Sequence, residues 1–175
     1  MTPVPPPLRV PLPNDFSVAQ RCFGCGPRNG SGLALKFFAE PAEQRVVADF
    51  TMTREHSGAP MFVHGGLVMT LLDEAMAWST IGIRRRFALT RDFRANFAVP
   101  LIIGTPYSVY GMPDQLVDGD RVIAVRGEIR DAAGTVCASA EGDYWVMSHD
   151  ELAVATGLPQ LTEEFLRYDF PEVPA

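Results

Sequence analysis

Between positions 63 and 82 the chain is apolar almost everywhere, in a run that reads Val63-His64-Gly65-Gly66-Leu67-Val68-Met69-Thr70-Leu71-Leu72-Asp73-Glu74-Ala75-Met76-Ala77-Trp78. A run this long with no polar face predicts a buried helix over 65–82, with Gly82 as its stop signal. Elsewhere the polarity alternates with a period of two, the signature of a half-buried strand. Before the helix, 33–39 and 45–52 read as strands, the second setting Val47, Asp49 and Thr51 against Val46, Ala48 and Phe50. After it come 87–99, 106–112, 121–130 and 135–147, with Ala132-Ala133-Gly134 turning the chain before the last. Two strands, one buried helix and four strands close only if a curved antiparallel sheet wraps the helix, an α+β arrangement. The order of elements rules out a doubly wound parallel sheet.

The flanks read differently. Six prolines between Pro3 and Pro13 make 1–20 an extended arm rather than a packed element. Residues 22–32 are turn-rich. A central domain over 21–149 follows, then a tail over 150–175 whose short helix is interrupted at Pro159, with 169–175 expected to be disordered. Composition narrows the setting. The chain has 175 residues, 47% hydrophobic and 21% charged, as in an ordinary globular domain. A net charge of −6 argues against a general attraction to nucleic acid or anionic membrane. No apolar run reaches the ~18 residues of a membrane span, and prolines break any signal peptide, so the cytoplasm is the expected location. Three cysteines are too few and too odd a number for a disulfide framework.

Three segments, in order, resemble the hotdog-fold acyl-CoA thioesterases, in the PaaI-like branch of the 4-hydroxybenzoyl-CoA thioesterase superfamily. They are Cys22-Phe23-Gly24-Cys25-Gly26-Pro27-Arg28-Asn29 leading to Gly32-Leu33, then His64-Gly65-Gly66 followed by Asp73, then 90–100 with Gly104. The resemblance implies a sheet wrapped around one long helix, protomers paired edge to edge as a homodimer or a dimer of dimers, and an acyl-CoA site between protomers. It implies that the Gly65 N–H polarises the thioester carbonyl. It further implies that Asp73 of the other protomer acts as nucleophile or general base, assisted by Thr90. One departure stands out: the family often has an asparagine shortly before the histidine, and 57–62 contains none.

The residues themselves fit this chemistry. Thioester hydrolysis needs a donor where the oxyanion develops and a group that delivers or becomes the nucleophile. The N–H of Gly65 at a helix start is an orphan donor without an obstructing side chain, and Gly66 adjoins it as a substrate-binding candidate. Asp73 lies eight residues on, about 12 Å along a helix, too far for both to meet one carbonyl from one chain. Two antiparallel helices across a two-fold axis would join them. Burial among Leu72, Met69, Met76 and Ala77 should raise the Asp73 pKa. Glu74, about 100° around the helix, reads as a structural carboxylate paired with an arginine.

His64 reads as a structural imidazole fixing the glycine turn, although a catalytic role is open, and His56 and His149 read as solvated. Cys22 and Cys25 form a CxxC, but no further cysteine or histidine stands at metal-ligand spacing, so a tight turn without metal or other cofactor is expected. Arg84, Arg85 and Arg86, with Arg91 and Arg94 nearby, form the one basic cluster: a solvated face, or a grip on the coenzyme A phosphates. Trp78, Phe93, Phe97, Met69 and Met76 read as core, some lining an acyl tunnel. The reading is acyl-CoA hydrolysis. A hotdog dehydratase lacks its motifs here, and a non-catalytic acyl-CoA-binding or regulatory module is the alternative.

Overall fold

The computed structural model describes residues 6–14, 16, 21–117, 120–158 and 163. Strands β1 (Val10–Pro11), β2 (Phe38–Glu40) and β3 (Arg45–Thr51) precede a small hairpin, β4 (Ser57–Ala59) and β5 (Phe62–Val63). Helix α1 (Gly65–Gly82) follows, then β6 (Ala88–Phe97), β7 (Pro106–Pro113), β8 (Val122–Arg130), β9 (Val136–Val146) and α2 (His149–Thr156). One antiparallel sheet runs β1-β2-β3-β7-β8-β9-β6, with α1 packed across its concave middle. This is the hotdog arrangement.

The helix occupies the predicted span because nothing within 65–82 interrupts it and the polar groups it buries are satisfied locally. Ser79 and Thr80 are fully buried, and their hydroxyls donate to the carbonyls of Met76 (2.6 Å) and Ala77 (2.8 Å). The helix lies very close to the sheet. A methyl at Gly111 would stand 2.6 Å from the Ala75 carbonyl carbon, and one at Gly127 would stand 2.8 Å from Met76 Sδ. These two glycines face each other on β7 and β8. Small residues at the contact set the helix-to-sheet distance.

Three expectations need correction. The strand expected over 33–39 is confined to Phe38–Glu40, because Ala34 adopts a left-handed φ of 48°. The Leu33 and Leu35 N–H groups bond instead to the carbonyls of Phe23 and Gly24. The described part of the proline-rich arm is extended, but it also packs. Val10 and Pro11 add a strand to β2, Arg9 reaches the buried Glu40 (3.0 Å), and Phe16 is buried against Trp78 and Phe87. Among the described residues the sheet therefore has seven strands where six were expected. At the other end, α2 is capped by Ser148 and stops at Gly157 (φ 71°). Pro159 and the segment 169–175 lie outside the described residues.

Replacing Gly111 with alanine should cost about 2 kcal/mol or more of stability, since the methyl meets rigid helix backbone. Gly30→Ala, where a methyl meets nothing within 4 Å, should stay within about 0.5 kcal/mol. Urea unfolding midpoints read both.

Candidate functional site

The start of α1 is built from its own sequence. His64 is the N-cap, and its Nδ1 accepts from the Gly66 N–H at 2.9 Å, which fixes the neutral tautomer with Nδ1 unprotonated. Its backbone N–H in turn donates to the carbonyl of His56 (2.9 Å). His56, expected to be solvated, is half-buried, and its Nδ1 accepts from the Thr53 N–H in a tight turn. With Gly66 capped, the Gly65 N–H has no acceptor among the described residues and is exposed. It is an orphan donor at the positive end of an 18-residue helix.

Two turns further on, Asp73 Oδ1 accepts from the Thr90 hydroxyl at 2.6 Å and from the Tyr144 hydroxyl at 2.9 Å. Register explains the convergence. Thr90 on β6 lies directly opposite Tyr144 on β9, so both hydroxyls project from one face toward the helix. Tyr144 is fully buried, and burial first, then the Asp73 charge, pushes its phenol up from the ordinary value, which keeps it a donor. Asp73 Oδ2 has no partner among the described residues. Asp73 is only half-buried, and two hydroxyls replace the wholly apolar surround expected for it. Tyr144 was not singled out from the sequence. The available signal was a lone tyrosine among the small inward residues Ala138, Ala140 and Gly142 of β9.

Glu74 faces a different side of the helix and pairs with no arginine among the described residues. Its oxygens lie 3.4 and 3.5 Å from Cys22 Sγ, and burial raises its pKa to about 7. Hydrogen bonding from Cys25, aided by the Cys25 and Gly24 N–H groups, pulls the Cys22 thiol down to about 5, while the same bond and burial push Cys25 up. The arginine cluster divides. Arg84, a phosphate candidate by sequence, has its guanidinium engaged by the carbonyls of Asp114 and Pro113 and by Gln44 Oε1, each at 2.8 Å. It ties the helix end to neighbouring loops. Arg86 is half-buried and donates to the Arg85 carbonyl, whereas Arg85 and Arg91 are exposed.

Of the aromatic and sulfur side chains, Trp78 and Met76 are core, but Met69 and Phe97 are exposed, Phe97 beside Gly65. Met61, Phe62 and Ile102 join them on the surface, with Phe62 and Ile102 bridged. Cavities of about 600, 370 and 250 Å³ occur elsewhere on the chain, and none of these is lined by Asp73, Thr90 or Gly65. The hydroxyl-held carboxylate is half-buried and bonded to β6, the edge strand of the sheet.

Residues 61–138, which contain the capped glycine pair, Asp73 and Thr90, match the family model of the thioesterase superfamily. Over that stretch the chain is similar to the thioesterase superfamily, and its fold is the hotdog fold. A solved thioesterase superfamily protein is 26% identical, with a TM-score of 0.62 over 68% of this chain, and the chain spans 60% of that protein's length. An inferred esterase of Saccharolobus solfataricus is 26% identical over 104 residues, 59% of this chain and 72% of the relative. A Streptococcus mutans protein solved with acetyl-CoA shares the fold at 18% identity, with a TM-score of 0.57 over 65% of this chain and 88% of its own. No described helix is long and apolar enough to cross a membrane.

Removing the imidazole cap by His64→Ala should cost about 1 kcal/mol, and His64→Asn should restore most of it. Urea midpoints of the two variants check this. Equal losses would mean that the ring acts by packing and not as an acceptor.

Proposed function

We propose that this chain hydrolyses acyl-CoA thioesters as a PaaI-like enzyme, with residues 21–149 as the working domain. The observation that carries the reading is Asp73, held through Oδ1 by Thr90 and Tyr144 while Oδ2 is left without a partner. Two donors on one oxygen fix the plane of the carboxylate and leave the other oxygen for chemistry. In the reaction, the Gly65 N–H of the partner subunit donates to the thioester carbonyl as it becomes an oxyanion. Asp73 either removes a proton from water as the water adds to the carbonyl carbon, or adds directly through Oδ2 to give an anhydride that water opens. In both routes the C–S bond breaks and coenzyme A leaves as its thiol after taking a proton.

The two-chain arrangement is part of the proposal. Within one helix the glycine donor and the carboxylate stand about 12 Å apart. The edge of β6, with Leu89 and Phe97 exposed, and the patch formed by Met61, Phe62 and Met69 are surfaces that a second copy would cover. Arg85 and Arg91 are the proposed contacts to the coenzyme A phosphates, Arg84 being engaged elsewhere. Support for a coenzyme A substrate comes from the Streptococcus mutans relative with acetyl-CoA bound.

The missing asparagine before His64 favours one second reading, a module that binds acyl-CoA without cleaving it. Release of free thiol from a small acyl-CoA panel separates the two. If the enzyme reading holds, Asp73→Asn lowers kcat by roughly 10²–10⁴-fold while substrate binding survives. Acyl-CoA that binds without any thiol release from the wild type would assign the chain to the binding module.

Neutralising Arg85 and Arg91 together should raise KM for acyl-CoA far more than for a short thioester lacking the nucleotide. Arg84→Ala should instead lower thermal stability with both KM values unmoved. Equal KM effects on the two substrates would remove the arginines from the site.

A further inference from the structure

Cys22, Cys25 and Glu74 come together although the carboxylate is 52 residues from the first thiol. Their ligand atoms all lie within 4.8 Å of one another. The turn that presents the sulfurs is closed by the Gly26 N–H on the Cys22 carbonyl at 3.0 Å. It fits over the carboxylate only because position 24 is glycine: a methyl there would stand 2.6 Å from Glu74 Cδ. The Cys22 thiol donates to the Glu74 oxygens at 3.4 and 3.5 Å, a spacing that also matches the sulfur–oxygen edge of about 3.5 Å in a tetrahedron with Zn–S near 2.3 Å and Zn–O near 2.0 Å.

Among the described residues no ion pair reaches Glu74, and the next residue is Asp73, so the cluster has three potential anions and no cation.

We propose that Cys22, Cys25 and Glu74 bind a thiophilic divalent cation, zinc by its ligand chemistry, in a tetrahedral site whose fourth position is open to water. Binding forms two Zn–S bonds and one Zn–O bond and releases the thiol protons to solvent. The metal would fasten the turn over 22–26 to α1 at the residue next to Asp73. The site is built on Glu74, about 100° around the helix from the Asp73 held by Thr90 and Tyr144, and does not depend on thioester chemistry. The sequence alone argued against a metal because only cysteine and histidine were counted as ligands, and the third ligand is a glutamate supplied by the helix.

The test uses the full-length wild-type protein stripped with chelator and titrated with Zn²⁺, followed by metal analysis after desalting. The expected result is one zinc per chain, protection of Cys22 and Cys25 from a disulfide thiol reagent, and a higher Tm. Titration with Co²⁺ should give the thiolate-to-cobalt charge-transfer band and the intense visible bands of a tetrahedral site. Glu74→Gln should weaken zinc binding by more than about 10-fold, and Cys22→Ser by more. Wild-type protein that retains no zinc, with thiols equally reactive in its presence, overturns the proposal. So does formation of a Cys22–Cys25 disulfide under mild oxidant that stoichiometric zinc fails to prevent. Neither readout involves thioester turnover, so an inactive enzyme would leave this result standing.

Discussion

Helix α1 rests against the sheet at backbone distance, over a facing pair of glycines, and this contact determines where every functional group stands. Gly111 and Gly127 remove the two side chains that would hold Ala75 and Met76 away from β7 and β8. Asp73 reaches sideways to β6 and β9, and Glu74 reaches to the loop over 22–25. Core packing at one helix face thus positions chemistry at two others.

The two adjacent carboxylates illustrate how environment separates like residues. Asp73 is half-exposed, and two neutral hydroxyls donate to one of its oxygens, fixing its orientation. Glu74 is more deeply desolvated and faces sulfur, which raises its pKa to about 7. One residue of separation along the chain, about 100° around the axis, accounts for the difference. At the helix start, the imidazole of His64 takes up the Gly66 N–H and leaves that of Gly65 unbonded. A cap that satisfied both would remove the donor the proposed chemistry requires.

Much of this was legible in the sequence because it is local. The helix over 65–82 showed in an uninterrupted apolar run, its cap in the histidine before two glycines, and strands β6 to β9 in period-two alternation. What escaped depends on long-range pairing. Tyr144 meets Asp73 from 71 residues away because the β6–β9 register sets it opposite Thr90, and no local pattern reports register. Arg84 looked available because its partners are backbone carbonyls, which a sequence does not display. The strand expected at 33–39 failed at Ala34, whose left-handed φ accompanies pairing of the segment with the cysteine turn.

The central claim is that one active site takes its donor from one chain and its carboxylate from another. Co-expression of Asp73→Asn with Gly65→Pro tests it most directly. Proline is well tolerated at the first helical position and removes only the N–H, while Asp73→Asn removes only the carboxylate. Each variant alone should be nearly inactive. If the site is shared between chains, mixed dimers contain one intact site each, and a random mixture should recover about a quarter of wild-type thioester turnover. Turnover that stays at the level of the separate variants, with mixed dimers demonstrably present, would contradict the shared site.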